Sequence, residues 1–307
     1  MYVGNYRVRP LSFLGLYPDE DLRVGNDLLF RNEHGIFSAV QNEMVEDQGK
    51  CAAFVPGFEI DNWTLQEIRF FSSLYLGAGE NAPISLYPLP TNQDMFLPEV
   101  EVLLNNMGLL RRLMNEETYA FSRKGRPEAD ARNLNHFEVR PYSDVRFEQA
   151  VRFWEALDSE DVPLIRGLHS LLKSEMLVCH YQFLDASLSA VHVALDAAHA
   201  SVLRRLKCHG GANPSSKDAM AYLEEEMGYP KTGLKFFEDY YDDRIRNFHT
   251  DSRFGASPVP DFAVDDIYDL KSQLRSVFFF LVTGELHSDM REERDLFIAR
   301  PTPPARL

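Results

Sequence analysis

The chain has 307 residues, of which 45% are hydrophobic and 26% are charged, which is typical of a globular protein with room for two domains. Its net charge of −15 argues against a protein that coats nucleic acid with an overall basic surface, but it allows a local basic patch. Three scattered cysteines favour reduced thiols over a disulfide framework. The N-terminus lacks a secretory pattern and no apolar run approaches the roughly 20 residues of a membrane span. The sequence therefore predicts a cytoplasmic protein that does not enter a membrane.

Residues 1–142 predict an α+β domain of unknown role. Short β-prone runs, several of them closed by proline or glycine, indicate strands at residues 6–9, 27–30, 35–40 and 51–55. The first of these strands is expected to end at Pro10.

Helices and loops are predicted between these strands and residue 142. Asp61 and Asn62 precede a run with helical apolar spacing, and residues 98–119 show the same spacing, so both segments predict helices. The proline-rich stretch 83–98 predicts loop and edge strand, and residues 122–135 predict a loop.

Residues 143–290 predict an all-α bundle, which makes the protein mostly helical overall. Apolar periodicity, caps and breaking residues place its helices from residue 143, from Pro163, over 174–207, from 215 to near Gly228, from Pro230 and over 265–283. Gly284 is expected to halt the last helix. The proline-bearing segment 291–307 predicts a disordered tail.

The longest predicted helix carries a polar stripe beside its apolar one. His192, Asp196 and His199 recur at i, i+4 and i+7, a spacing with which a metal ion could be bound in a bundle core. Only one helix supplies these residues, so we favour a polar seam that faces solvent, the first domain or another subunit. The sequence predicts neither a metal site nor a cofactor.

The segment YYDDRIRNFHTDSRFG, residues 240–255, is the strongest candidate site. On a helix Arg246, His249 and Arg253 share one face, whereas Arg244 lies about 140° away from His249. Nearby cations disfavour the charged imidazole, and a neutral histidine beside guanidinium groups suits proton transfer at a phosphate. The alternative is a solvated face in which these arginines pair with nearby aspartates.

Arg244-x4-His249, placed within the predicted helical order, resembles the signature of the HEPN superfamily (higher eukaryotes and prokaryotes nucleotide-binding domains). The resemblance covers about residues 145–285. It implies a HEPN-like bundle that acts as a metal-independent endoribonuclease, with motif residues that meet across a homodimer interface. His249 would transfer the proton of the attacking 2′-hydroxyl or of the leaving oxygen, and Arg244 would stabilise charge on the phosphoryl oxygens.

The residues around this pair are the predicted substrate-binding set: Arg246, Asn247 and Arg253, of which the two arginines could hold flanking phosphates. The family usually has a polar residue directly after the arginine, and this chain has Ile245. Two interpretations therefore stand. One is an RNA-cleaving enzyme of a defence or toxin–antitoxin system, with an antitoxin or another protein as partner. The other is a non-catalytic module that binds RNA or a protein.

Overall fold

The computed structural model describes residues 3–18, 21–32, 35–41, 63–78, 84–88, 93–98, 108, 112, 140–142, 147–179, 183–210, 213–227 and 264–299. The chain divides into two compact units. Unit 1 comprises Met1–Tyr75 and Pro83–Trp154, and unit 2 comprises Leu76–Ala82 and Glu155–Leu307. The described residues are mostly helical, with a sheet in unit 1, so the predicted order of an α+β part followed by a helical part is confirmed. The division into compact units falls after Trp154, and the domain boundary expected after residue 142 stays a prediction.

Seven strands form the described sheet: β1 (Val3–Pro18), β2 (Leu22–Val24), β3 (Asp27–Asn32), β4 (Gly35–Gln41), β5 (Ile84–Pro88), β6 (Gln93–Pro98) and β7 (Arg140–Tyr142). The path runs β2-β3-β4-β1-β5, and β6 and β7 also pair with β1. All pairs are antiparallel except β1 with β7. The long strand β1 thus holds the sheet of unit 1 together.

The prediction that Pro10 ends the first strand is wrong. β1 continues to Pro18 and pairs Pro10 with Phe37 of β4. On the other side of β1, β6 pairs with residues 3–8 and β5 with residues 11–15, so Pro10 falls in the break between them. No ladder hydrogen bond is required of Pro10 on that side, which is where a residue without an N–H is tolerated.

Seven helices are described: α1 (Leu65–Gly77), α2 (Phe147–Ala156), α3 (Val162–Cys179), α4 (Leu184–Cys208), α5 (Ser216–Met227), α6 (Val264–Thr283) and α7 (Ser288–Ala299). The predicted end of α6 before Gly284 and the predicted start of α5 at Ser215–Ser216 are confirmed. The predicted strand 51–55 and loop 122–135 lie outside the described residues. Between the ends of the predicted helix 98–119, the structure describes residues 108 and 112, and both are helical.

Two helix predictions are wrong. The run 174–207 is not one helix: α3 extends to Cys179, and the backbone N–H of Phe183 donates to the carbonyl of Leu177 across the turn before α4. The segment 291–299, predicted as disordered tail, belongs to α7. Its residues are good helix formers and Met290 is buried, whereas the prolines behind the prediction begin only at Pro301.

Unit 2 is built on the antiparallel pair of α3 and α4, with α5 and α6 packed on α4. Gly167 permits this packing: a Cβ atom there would lie 2.6 Å from the Cβ of Ala197 and 2.7 Å from Cζ of Phe278. The hydroxyl of Ser187 on α4 donates to the carbonyl of Ser174 on α3 at 3.0 Å. The backbones of α3 and α4 therefore approach each other closely where small residues face each other.

Among the described helices, α4 is the one long and apolar enough to cross a membrane by length and composition. Its predicted apolar stripe is buried at Leu188, Val191, Leu195, Ala198 and Val202. This stripe packs within unit 2, and a core helix accounts for the same composition.

Candidate functional site

The sequence-predicted site lies outside the described residues. Arg244, Arg246, Asn247, His249 and Arg253 all belong to the segment 228–263, which joins α5 to α6. The buried residues that flank this segment, Met227 at the end of α5 and Ile267 in the first turn of α6, belong to the core of unit 2. The predicted convergence of Arg244 and His249 stays a prediction.

Close to this segment along the chain, α6 carries a buried charged residue. Nζ of Lys271 lies 2.6 Å from Oε1 of Glu175 on α3, and both side chains are 4% exposed. The ammonium group also lies 4.9 Å from the centre of the Tyr268 ring. A buried pair of this kind requires good geometry, because both ions give up hydration. It links α3 to α6 and gives the interior of unit 2 a specific polar contact.

The His192–Asp196–His199 stripe on α4 faces solvent only in part, with His199 of intermediate exposure. His192 is 1% exposed and belongs to the core of unit 2, whereas Asp196 is exposed. Burial lowers the pKa of His199, and the charge of Asp196 raises it in part. Within the described ranges, no three histidine, cysteine, aspartate or glutamate side chains are grouped as metal ligands.

A second buried histidine, His287, precedes α7 in unit 2. Its Nε2 atom lies 2.9 Å from the carbonyl oxygen of Gly77, and its Nδ1 accepts the backbone N–H of Asp289 at 3.2 Å. This pattern corresponds to a neutral imidazole that donates from Nε2. The ring also packs edge-on against Phe279. His287 thus has a structural role, which is to hold the end of α1 within unit 2.

Unit 1 contains a buried polar cluster around Asp27, the first residue of β3. Its side chain is 0% exposed. Oδ1 accepts the backbone N–H of Gln41, at the end of β4, at 2.8 Å, and Oδ2 accepts the side-chain amide of Gln66, in the first turn of α1, at 2.8 Å. One carboxyl group therefore joins the beginning of β3, the end of β4 and the start of α1.

Burial has a large effect on the acidity of this cluster. It raises the pKa of Asp27 from 3.8 to about 7, although the donors Gln41, Gln66 and Trp154 and the charge of Arg69 all act to lower it. Burial, assisted by the negative charge of Asp27, raises the pKa of Tyr6 to about 12. A carboxyl group with a pKa near 7 can take up and release a proton near neutral pH, which is the physical property expected of functional acids and bases.

The indole of Trp154 on α2 covers this cluster. Its ring plane lies beneath the guanidinium of Arg69, 3.9 Å from the ring centre, and Arg69 also donates to the carbonyl of Trp154 at 2.8 Å. On Gly25 a Cβ atom would lie 2.6 Å from the indole, and its φ of +58° is one that glycine adopts readily. The indole N–H lowers the pKa of Asp27, although its geometry is not that of a full hydrogen bond.

The nearby start of α1 combines a helix cap with a buried ion pair. Thr64 and Glu67 form a capping box, because the N–H of Glu67 donates to Oγ1 of Thr64 at 3.1 Å and the N–H of Thr64 donates to Oε2 of Glu67 at 2.9 Å. Arg9 of β1 then donates to both oxygens of the same carboxylate, at 2.8 and 3.1 Å. The helix therefore begins after Thr64 rather than at the predicted cap of Asp61 and Asn62, which lies outside the described residues.

Sequence reasoning did not single out Asp27, Arg9 or Lys271. Asp27 follows Gly25 and Asn26, a composition typical of an exposed turn, and nothing local indicates that its carboxylate is buried. The Thr64-x-x-Glu67 spacing is a capping-box pattern that could have identified the start of α1. Lys271 interrupts the apolar stripe of α6, which was the one local sign of a buried partner.

No family model, curated protein or solved structure matches the chain.

Proposed function

We propose that the protein is a metal-independent endoribonuclease of the HEPN type, which cleaves RNA with Arg244 and His249 at a homodimer interface. The observation that carries the proposal is the Arg244-x4-His249 spacing in the segment 228–263. Support comes from the surroundings of this segment, because α3, α4 and α5 precede it and α6 follows it within the helical unit 2. This order agrees with the late position that the motif has in a HEPN bundle.

The proposed reaction needs a proton acceptor, a proton donor and a counter-charge. The 2′-hydroxyl oxygen attacks the neighbouring phosphorus, forms a new P–O2′ bond and breaks the P–O5′ bond. His249 takes the proton of the 2′-hydroxyl or gives one to the departing 5′ oxygen. Arg244 stabilises the negative charge that develops on the phosphoryl oxygens. The products are a 2′,3′-cyclic phosphate and a free 5′-hydroxyl, so no net proton or electron is consumed.

The remaining motif residues are proposed to position the RNA. If the segment forms the helix that its sequence predicts, Arg246 and Arg253 share a face with His249 and would hold flanking phosphates, and Asn247 would add a hydrogen-bonding side chain. Because the net charge of −15 repels RNA, binding depends on these local phosphate contacts. We therefore expect binding to weaken steeply with salt. The cellular setting we propose is a cytoplasmic defence or toxin–antitoxin system, with an antitoxin protein as the partner that holds the enzyme inactive.

Cleavage of single-stranded RNA by the full-length protein in the presence of a chelator tests this proposal. We expect His249→Ala and Arg244→Ala to lose cleavage by at least about 100-fold, the usual effect of removing a positioned acid, base or charge-stabilising group. The matched controls are His209→Ala, an exposed histidine at the end of α4, and Arg294→Ala, whose partner is the adjacent Asp295. Both controls should retain activity. Equal activity in His249→Ala and wild type contradicts the role of His249.

The chemistry of the nucleophile has its own control. An RNA with one 2′-deoxy nucleotide at the cleaved position lacks the attacking hydroxyl and should resist cleavage at that position alone. Cleavage at the substituted position would contradict attack by the 2′-hydroxyl.

Subunit mixing tests the dimer. If Arg244 of one protomer acts with His249 of the other, a mixture of Arg244→Ala and His249→Ala proteins contains heterodimers with one intact pair. Such a mixture should regain cleavage that neither variant has alone. A mixture that remains inactive contradicts a site shared between protomers.

The second candidate is a non-catalytic HEPN-like module, and Ile245 favours it because the family usually has a polar residue at that position. For this function, the wild-type protein binds RNA or a protein without cleaving RNA. Binding that survives the double change of Arg244→Ala and His249→Ala is the expected result. Chelator-resistant cleavage that depends on His249 excludes this second candidate.

A further inference from the structure

We propose that Asp27 makes unit 1 proton-sensitive: its carboxyl group is protonated in the closed joint between β4 and α1, and opening of that joint to water releases the proton. The joint is defined by Asp27, Gln41 and Gln66. This property goes beyond the proposed ribonuclease activity and does not depend on it, because it concerns unit 1 alone.

The geometry of the joint carries the proposal. The carboxyl group of Asp27 is fully buried, and among the described residues its two oxygens accept from the backbone amide of Gln41 and the side-chain amide of Gln66. Both donors are neutral. Burial of a carboxylate whose hydrogen-bond donors are neutral is costly, because neutral hydrogen bonds replace only part of the lost hydration. When Asp27 carries a proton, the Gln66 amide can turn so that its oxygen accepts the carboxyl O–H. Opening of the joint rehydrates the group and allows it to ionise.

Charged and titratable groups on α1, β1 and β2 act on Asp27 or on its neighbour Tyr6. Arg69 on α1 attracts the ionised form of Asp27, and Tyr6 on β1 responds to the charge of Asp27 and to Arg23 on β2. Burial dominates these effects and sets the pKa of Asp27 at about 7. The group therefore changes charge near neutral pH, whereas exposed aspartates do so near pH 4.

Trp154 provides a local reporter of this proton. The chain has two tryptophans, Trp63 and Trp154, and the indole N–H of Trp154 interacts with Asp27. In the full-length Trp63→Phe protein, the emission of Trp154 should titrate between about pH 5 and about pH 9, with a midpoint of about 7. Asp27→Asn in the same background keeps the side-chain volume but cannot ionise, so the transition should disappear.

Two further variants sharpen the assignment. Gln66→Leu removes a hydrogen bond that lowers the pKa of Asp27, so the midpoint should move to higher pH. Asp218→Asn is the matched control, because Asp218 is an exposed carboxylate in unit 2 with its own bonds to Ser215. It should leave the titration unchanged. A transition that persists in Asp27→Asn, or a midpoint that does not respond to Gln66→Leu, overturns the proposal.

Hydrogen exchange of the Gln41 amide tests the release of the proton on opening. The measured quantity is the protection factor of this amide, which is its intrinsic exchange rate divided by its observed rate. The ratio of the wild-type protection factor to that of Asp27→Asn should fall about tenfold per pH unit between about pH 5 and about pH 6.5. A constant ratio across this range overturns the proposal.

If Trp63→Phe or Asp27→Asn does not fold, the fluorescence titration midpoints of the wild type and of Gln66→Leu, both with two tryptophans, are compared instead. An upward shift then supports the proposal and equal midpoints contradict it.

Discussion

The guanidinium of Arg9 and the carboxylate of Glu67 form two hydrogen bonds in the interior of unit 1, and both side chains are 0% exposed. Arg7 lies 3.9 Å from the same carboxylate, so Glu67 also attracts a second guanidinium. Because Glu67 completes the capping box of α1, this one side chain connects the central strand β1 to the beginning of a helix.

Replacement of Glu67 by glutamine should destabilise unit 1 strongly. The change removes the negative charge of Glu67 from beside the buried guanidinium of Arg9, and breaking a buried ion pair in this way costs about 3–5 kcal/mol in the free energy of unfolding. Both tryptophans lie in unit 1, so denaturant unfolding followed by tryptophan fluorescence measures this loss. The matched control is Glu285→Gln, whose partner Arg291 is half exposed. Because this pair lies in unit 2, its unfolding is followed by circular dichroism, and the change should cost about 0–1 kcal/mol. Equal losses for the two variants would contradict the assigned role of Glu67.

Lys271→Met should destabilise unit 2, because the buried carboxyl group of Glu175 then loses the ammonium group 2.6 Å away from it. The expected loss is again about 3–5 kcal/mol. Helix unfolding followed by circular dichroism is the measurement, since unit 2 contains most of the described helices. The double variant Lys271→Met with Glu175→Leu removes both charges and should return to within about 1 kcal/mol of the wild type, or exceed it. A double variant less stable than the single one would show that the pair itself is strongly stabilising.

Asp27→Asn should change how the stability of unit 1 depends on pH. Because the pKa of Asp27 is raised in the folded state, the stabilisation from its proton is complete below the unfolded value of 3.8 and is lost as the pH rises to about 7. The shift makes this loss on the order of 4 kcal/mol in the wild type. Asp27→Asn lacks this loss, so its unfolding free energy should rise relative to that of the wild type as the pH increases over the same range. Parallel pH profiles of the two proteins in tryptophan-monitored unfolding would contradict the raised pKa.

Gly167→Ala should destabilise unit 2 although alanine is the better helix former. The added methyl group overlaps Ala197 and Phe278, and overpacking of this kind costs about 1–3 kcal/mol, against about 1 kcal/mol gained in helix propensity. The unfolding free energy of unit 2 from circular dichroism measures the balance. Ser189→Ala on the exposed face of α4 is the control and should stay within about 0.5 kcal/mol of the wild type. A stabilised Gly167→Ala protein would mean that α3 and α4 separate easily.

Local rules placed α5 and α6 well, because the caps and breaks at Ser215 and Gly284 lie beside the helices that they delimit. The same rules failed at Pro10 and within the run 174–207. The tolerance of Pro10 depends on where β5 and β6 meet β1, and the division into α3 and α4 depends on a turn within a continuous apolar pattern. Periodicity reports which face is apolar, and it does not report where the chain reverses.

The candidate sites also differ in whether a local pattern in the sequence could predict them. The Arg244-x4-His249 segment was found from spacing alone, and it lies within the undescribed stretch 228–263, so its geometry stays a prediction. The Asp27 cluster was found only in the folded structure. Its carboxyl group depends on Gln41, Gln66 and Trp154, which come from separate parts of the chain, and no local pattern brings them together.

Composition, periodicity and spacing are properties of neighbouring residues, so they are enough to predict the class of the fold, the buried stripe of α4 and the position of the histidine–arginine motif. Which charges are buried depends on tertiary packing. Arg9 and Glu67 are 58 positions apart, and their pairing follows from the packing of α1 against β1. Burial, and the pKa shift that it causes at Asp27, depends on the atoms that exclude water from a side chain, and distant segments supply those atoms only when the chain folds.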